Sequence, residues 1–444
     1  ATCIEEPQES MAVLPFRSKH VKKQAVATGT KSKSGKVSFS TGTGTKLAKP
    51  ETPIYSLAQQ FQHYLHLPDP SALYALMGAV AANMLHGQDP VWIMVVGSSG
   101  SGKTTLLKSL RSIKGVHLIG DLDTKAAFLS GVKKKDQMAG SKGGLLNEIG
   151  NRGALVWYEF TAVLELPRDA LKSILTALRQ IYDGYYSRDV GTEGHRKLEW
   201  TGRLAAFAGV TNAIDQAYEF ASKMGERFVF YRLPETDGWG ESFKALQMED
   251  REDIAEELAE IVENFFEGLG MSWVKGQETE ARELKVWEKN RLIALGQFAT
   301  KARSGVVRDY QQREIVDVPT SEAPMRFTKT FRRLYIGMEV IGVDDEDRWR
   351  VLRKIAMDSM PLVRRAVIEV MLRKVSESDS HDHRKGVGVT ELSEVMRVSQ
   401  TTVRRVLEDL GAHDVVEHAK DKDGGKGKGW RLTDWAWERI GTSG

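Results

Sequence analysis

Cysteine is almost missing from this chain: Cys3 is the only one in 444 residues. That excludes a disulfide framework and a thiolate metal cluster, and a reducing cytoplasmic location is expected. Also missing is any run of about 18 consecutive apolar residues, the length a membrane span needs, so no membrane partner is expected. The first residues include Glu5, Glu6 and Glu9, which is not the composition of a signal peptide. Net charge is small, +3 at pH 7, so any attraction to nucleic acid must be local. Acidic residues are absent from Arg17 to Lys49, where nine Lys and Arg stand among Gly, Ser and Thr. Residues 1–51 are therefore expected to be a disordered basic tail, either a nucleic-acid-binding arm or a solubilising segment.

Glycine, by contrast, is concentrated where phosphate chemistry needs it. Gly97-Ser98-Ser99-Gly100-Ser101-Gly102-Lys103-Thr104 fits G-x-x-x-x-G-K-[ST] and follows the apolar run from Val91 to Val96. A buried strand should deliver the chain into a turn whose glycines let backbone N–H groups face a phosphate. A helix from Lys103 to Leu110 then adds its positive N-terminal end. The expected cofactors are ATP and Mg2+, bound along Gly97 to Thr105. Lys103 grips the β- and γ-phosphates, the Thr104 hydroxyl ligates the metal, and Leu106 and Leu107 turn inward.

At 444 residues the chain has room for about three domains. Asp69-Pro70-Ser71 opens a helix expected from Ala72 to His86. Short apolar runs from Val116 to Ile119, Ala154 to Tyr158, Leu204 to Val210 and Phe228 to Arg232 read as strands buried on both faces, with helical segments between. This predicts an α/β parallel-sheet core over residues 52–236. From 237 to 375 apolar residues recur three and four apart, from Asp253 to Leu269, Glu280 to Ala302, Ala323 to Gly342 and Asp347 to Val375, predicting a helical lid and connector. A polar break precedes a small separate domain over 376–444.

A phosphate loop needs a carboxylate at the end of a neighbouring strand. Glu159, directly after Leu155-Val156-Trp157-Tyr158, is the candidate catalytic group and second metal ligand, because a charge closing an apolar strand is otherwise costly. The alternative is a helix cap. Asn212, after Val210-Thr211, either orients the lytic water or is a turn residue.

Ser141-Lys142-Gly143-Gly144-Leu145-Leu146-Asn147-Glu148-Ile149-Gly150-Asn151-Arg152-Gly153, leading into Ala154 to Phe160, resembles the glycine-rich approach to the Walker B strand of minichromosome-maintenance helicases, which are AAA+ ATPases. The similarity extends through Val210-Thr211-Asn212 (sensor 1), Gly225-Glu226-Arg227-Phe228 (the arginine finger) and Glu322-Ala323-Pro324-Met325-Arg326-Phe327 (sensor 2). The region also resembles AAA+ ATPases encoded near replication genes of bacterial mobile elements. The resemblance implies that Arg227 reaches a neighbouring subunit's γ-phosphate while Arg326 reaches its own, so that hydrolysis requires assembly, as a hexameric ring; the alternative is that Arg227 pairs with Glu226 or a surface acid. One position departs from the family: where it writes Asp-Glu, this chain has Tyr158-Glu159, leaving Glu159 to serve alone or with Asp121 or Asp123.

Two segments are candidates to touch DNA, the alternatives being a solvated turn for the first and a protein-binding domain for the second. Tyr185 to Trp200 reads as a β-hairpin whose tip carries His195, Arg196 and Lys197; in the resembled helicases such a hairpin projects into the channel. A helix from Val389 to Met396, a turn at Arg397-Val398-Ser399 and a second helix from Gln400 to Leu410 bearing Thr401, Thr402, Arg404 and Arg405 have helix-turn-helix spacing. With the strands flanking Asp421 to Lys428 they resemble a winged-helix domain, Lys426 and Lys428 lying on the wing. Residues 376–444 hold 11 Lys and Arg against 13 Asp and Glu, so binding would come from one face. The sequence thus points to an oligomeric ATP-dependent DNA motor, a helicase or translocase in replication of a mobile element. The alternative is a non-motor switch, such as a helicase loader or regulator, in which ATP controls assembly. A small-molecule P-loop kinase leaves the C-terminal segment without a purpose.

Overall fold

The computed structural model describes residues 52–87, 89–120, 124–129, 144–190, 196–217, 227–235, 238–248, 253–273, 280–309, 311, 314–321, 323–377, 382, 384–420 and 426–441. Two helices, α1 (Pro53–Tyr64) and α2 (Ser71–Met84), precede the first strand, β1 (Trp92–Val96). Next come α3 (Lys103–Lys108), β2 (Val116–Ile119), α4 (Leu145–Ile149), β3 (Arg152–Trp157), α5 (Thr161–Leu164) and α6 (Arg168–Tyr182). A hairpin, β4 (Tyr185–Val190) and β5 (Arg196–Thr201), leads into β6 (Arg203–Val210) and then β7 (Phe228–Arg232).

Five of these strands form one parallel sheet in the order β2-β3-β6-β1-β7. Both faces of β1, β3, β6 and β7 are covered, which is why those strands are mainly apolar rather than alternating, whereas the edge strand β2, expected to be buried on both faces, is only partly buried and exposes Leu118. Ile93, Val95, Phe207 and Tyr231 enter one core with α1, α2 and α3. Trp92, Met94, Ala208 and Phe230, one residue out of phase, enter a second core with α6 and with Tyr186 and Trp200 of the hairpin. The strands expected from Val116 and Phe228 have the predicted bounds, and the fold is the mixed α/β class with a parallel sheet.

After the sheet the chain is mainly helical: α7 (Trp239–Gln247), α8 (Ile254–Gly268), α9 (Val286–Arg303), α10 (Met325–Val340), α11 (Asp345–Asp358) and α12 (Leu362–Glu377). Two features depart from the expected helical pattern. A short antiparallel pair, β8 (Val307–Arg308) and β9 (Ile315–Asp317), interrupts it. The single helix expected from Asp347 to Val375 is broken at Ser359-Met360-Pro361, because proline cannot donate its N–H and pushes the preceding residue out of the helical region. The break is used. The β7 edge is otherwise unpaired, and there the Phe230 N–H donates to Ser359 Oγ (3.0 Å) and the Arg232 N–H to Asp358 Oδ2 (2.7 Å).

The last segment holds α13 (Val389–Met396) and α14 (Gln400–Ala412), then an antiparallel hairpin of β10 (Val416–Lys420) and β11 (Lys426–Leu432), and α15 (Asp434–Ile440). Arg397, at φ 55°, closes α13 in the left-handed conformation, and Ser399 caps α14 by accepting from the Thr402 N–H at 3.1 Å.

α2 is buried along its whole length and crosses α10 at two facing glycines. Its C-terminal carbonyls gather three arginines: Arg333 donates to Ala82 O, Arg203 to Leu85 O (3.0 Å) and Arg152 to Leu85 O (3.4 Å). Cations there complement the negative helix end. A Cβ on Gly337 would run into the Gly78 carbonyl oxygen and lie 2.7 Å from the Ala82 nitrogen. Helix propensity alone makes Gly→Ala favourable by about 1 kcal/mol. Here Gly337→Ala is expected to destabilise by about 1–3 kcal/mol, read as a lowered midpoint in denaturant, because backbone cannot move aside as a side chain can.

Candidate functional site

β1 ends at Val96 between two parallel neighbours, and both hold the start of the loop in place. The Gly97 N–H donates to Val210 O (3.1 Å) and the Leu233 N–H to Val96 O (2.7 Å). Gly100 (φ 80°) and Gly102 (φ 78°) take the left-handed conformation that the turn requires, and space is open around both. Ser98 and Ser99 are exposed, while Ser101, Thr104 and Thr105 are half-buried. Gly102 is the cap residue of α3, whose first residue is Lys103.

The Lys103 ammonium is buried and lies 2.5 Å from Ser98 O and 3.4 Å from Ser101 Oγ. Burial lowers its pKa below the ordinary lysine range, and the nearby Glu159 carboxylate pulls it partly back. Lys103 and Glu159 thus lie close enough to interact electrostatically. The strand ends are pinned together: the Phe160 N–H donates to Gly209 O (2.7 Å) and the Thr211 N–H to Thr161 Oγ1 (3.1 Å). Asn212 is exposed and opens a short 3-10 turn, Asn212–Asp215. Tyr158 does not point where Glu159 does. Its ring packs under the Lys108 ammonium, 4.5 Å away, and its hydroxyl lies against Gly120, so it braces α3 on the sheet. Asp121 and Asp123 lie outside the described residues.

Three contributors to this region were not singled out in the sequence. Asp215 holds Arg232 in a bidentate pair (2.6 and 2.8 Å), and both are charges that close apolar strands or turns, the signal that singled out Glu159. The turn after α1, with His66 and Leu67, and one side of α7, with Glu241 and Lys244, line a cavity of about 300 Å³ that opens on Gly100 to Gly102. Leu106 and Leu233 give it an apolar floor. Its size and lining suit a flat heterocycle beside a phosphate site. Among the described residues no three His, Cys, Asp or Glu cluster as a metal site.

No protein-family model or curated protein matches the chain. A solved structure described as a putative ATPase from Cytophaga hutchinsonii is similar with 12% identity and a TM-score of 0.41, over 80% of this chain and 94% of that one. The functional reading rests on the residues themselves.

Arg227 and Arg326 are elsewhere. Arg227 is buried and forms a two-contact ion pair with Asp183 (2.8 and 3.1 Å), just before β7 begins. Arg326 is exposed and lines a cleft of about 530 Å³ with Asp89, Asp183, Met325 and Lys329. Both sit at the N-terminal end of the sheet, about 15 Å from the phosphate loop at five residues of strand. The structure therefore brings Arg326 to Arg227's partner and not to Lys103.

In the β4–β5 hairpin, Tyr185 pairs with Thr201 and Val190 with Arg196. Lys197 is exposed but lies 2.6 Å from Glu199, which offsets its charge. His195 lies outside the described residues. On α14, Thr401 and Arg404 are exposed and Thr402 and Arg405 half-buried, opposite Val403, Leu407 and Leu410. Lys426 and Lys428 are on β11 rather than in a loop. Among the described residues no helix is long and apolar enough to cross a membrane.

Proposed function

We propose that this chain is an oligomeric ATP-hydrolysing DNA motor, a helicase or translocase, working as a hexameric ring in replication of a mobile element. The observation that carries the reading is the meeting of Lys103, Glu159 and the Thr211-Asn212 turn at one end of the sheet. Mg2+, when bound, neutralises charge that builds on the transferred phosphoryl group. Backbone N–H groups of Gly100 to Lys103 cradle the phosphates, Lys103 draws charge from them, and Glu159 with Asn212 positions the attacking water. Arg227 is proposed to complete a neighbour's site, leaving its pair with Asp183 to do so, whereas Arg326 lies in the cleft beside that pair and not at its own loop. Assembly is then part of the chemistry.

DNA contact is proposed at the hairpin tip and at the C-terminal unit, read as a winged helix with Thr401 and Arg404 on the exposed side of its second helix. A second reading, a nucleotide-controlled loader or regulator without motor action, is favoured by Tyr158. An aromatic brace stands where the resembled family has an acid. A forked duplex separates the two. The motor displaces the strand in an ATP-dependent way, whereas nucleotide-dependent binding without displacement selects the switch.

A further inference from the structure

Two pairs of tryptophan and arginine stand side by side where α9 and α11 pack together. Trp287 and Arg291 lie one turn apart on α9, and Trp349 and Arg353 one turn apart on α11, so each pair shares a helix face. The two indoles meet at 6.2 Å and 45°, and the Arg291 guanidinium lies 4.3 Å over the Trp349 ring. Trp349 is 6% exposed, whereas Trp287 is 47% exposed beside Val286 at 72%. A stack thus rises from the core and ends in an indole open to solvent.

The cations of this stack are not neutralised. Among the described residues neither Arg291 nor Arg353 has a carboxylate within ion-pair distance, although both are half-buried. Nearby acids are already held: Glu288, the only acid of α9, by Arg282, and Asp345 and Asp347 of α11 by Arg348 and Arg350. Glu346, exposed in the first turn of α11, stands two turns before Arg353, about 10 Å along the axis. Burial depresses the Arg353 pKa, and the like charge of Arg291 depresses it further. The buried Trp349 Nε1–H also lacks an acceptor. We infer that this patch binds single-stranded nucleic acid, a base stacking on Trp287 while adjoining phosphates face Arg291 and Arg353. An acidic peptide would satisfy the cations but leave the open indole face unused. The inference rests on the reading of the chain as one that acts on DNA, and it adds a contact on the helical part, apart from the hairpin and the C-terminal unit.

Fluorescence anisotropy of a labelled oligothymidine, titrated with the full-length chain over a range of salt, tests this with Trp287→Ala and Arg291→Gln/Arg353→Gln. Trp287→Ala changes an exposed position, so folding is preserved. It is expected to bind on the order of 10-fold more weakly with unchanged salt dependence, because stacking releases no counterions. The arginine variant is expected to bind more weakly and to lose about 1.4 from the slope of log K against log salt, the share of two single-strand phosphates. Unchanged affinity of Trp287→Ala overturns the site, and so does an arginine variant with the parent's slope. An equal loss on a blunt duplex, whose bases cannot stack on the indole, also overturns it. A parent that binds oligothymidine while both variants match it removes this site and keeps the DNA reading, whereas a parent that does not bind removes both. Losses in both variants, with ATP turnover indifferent to the oligonucleotide, keep the site and remove the motor.

Discussion

Replacing Lys103 with alanine is expected to lower ATP turnover by about 100- to 1000-fold while leaving the fold intact. The magnitude follows from losing a preorganised cation aimed at charge that develops on the phosphates, a contribution typically worth about 3–4 kcal/mol of barrier. Lys103 is buried with its ammonium against the Ser98 carbonyl and Ser101 hydroxyl, so its position is set before any phosphate arrives. No reorganisation is then needed during reaction. Burial has already lowered its proton affinity, and only Glu159 opposes that trend. The alanine variant removes a charge that folding had to desolvate, so its thermal midpoint should not fall. A steady-state phosphate-release assay, with the melting curve beside it, checks both halves. A drop of less than tenfold would place the phosphates elsewhere.

Arg232→Ala carries the largest expected loss of stability, about 3–5 kcal/mol. Arg232 is 5% exposed and closes β7, and its guanidinium holds Asp215 in a fork. Its Nε also donates to Asp358 O at 3.2 Å, within a cluster where the fully buried Asp358 carboxylate meets Lys354 (2.9 Å) and Arg365 (2.7 Å). Desolvation pushes the Asp358 carboxyl above its ordinary range, and these cations hold it back. Alanine leaves Asp215 without its fork and opens a void beside the cluster. Urea unfolding measures the difference, and Arg232→Lys, which keeps charge but not the bidentate geometry, should fall between. A change under about 1 kcal/mol would mean the pair behaves like a solvent-screened surface bridge.

Both effects stem from the same end of the sheet, and only one was legible beforehand. The phosphate loop is a local device: its glycines, lysine and threonine must be consecutive, so eight residues announce it. Glu159 was legible because a charge closing Leu155 to Trp157 violates an apolar pattern. Asp215 and Arg232 violate it equally, yet their meeting depends on which strands lie side by side. β1 stands between β6 and β7, and no spacing in the chain states that order. Arg326 misled for the same reason. Its resemblance gave a role, but placement is set by α10 crossing α2 at Gly78 and Gly337, which brings the helix start to the cleft near Asp89. The cavity walls contributed by His66 and α7 come from residues more than 170 positions apart, with no chemistry-bearing pattern of their own. The helix break at Pro361 has a covalent cause visible in the sequence, yet the helical pattern expected from Asp347 to Val375 ran through it, and its use in covering the β7 edge was not legible either.

ATP turnover by the full chain, measured with and without single-stranded DNA while its mass in solution is followed, tests the central proposal most directly. The expected result is turnover by an assembled species that rises severalfold on adding DNA and disappears in Lys103→Ala. Turnover by a monomer, indifferent to DNA, would contradict it.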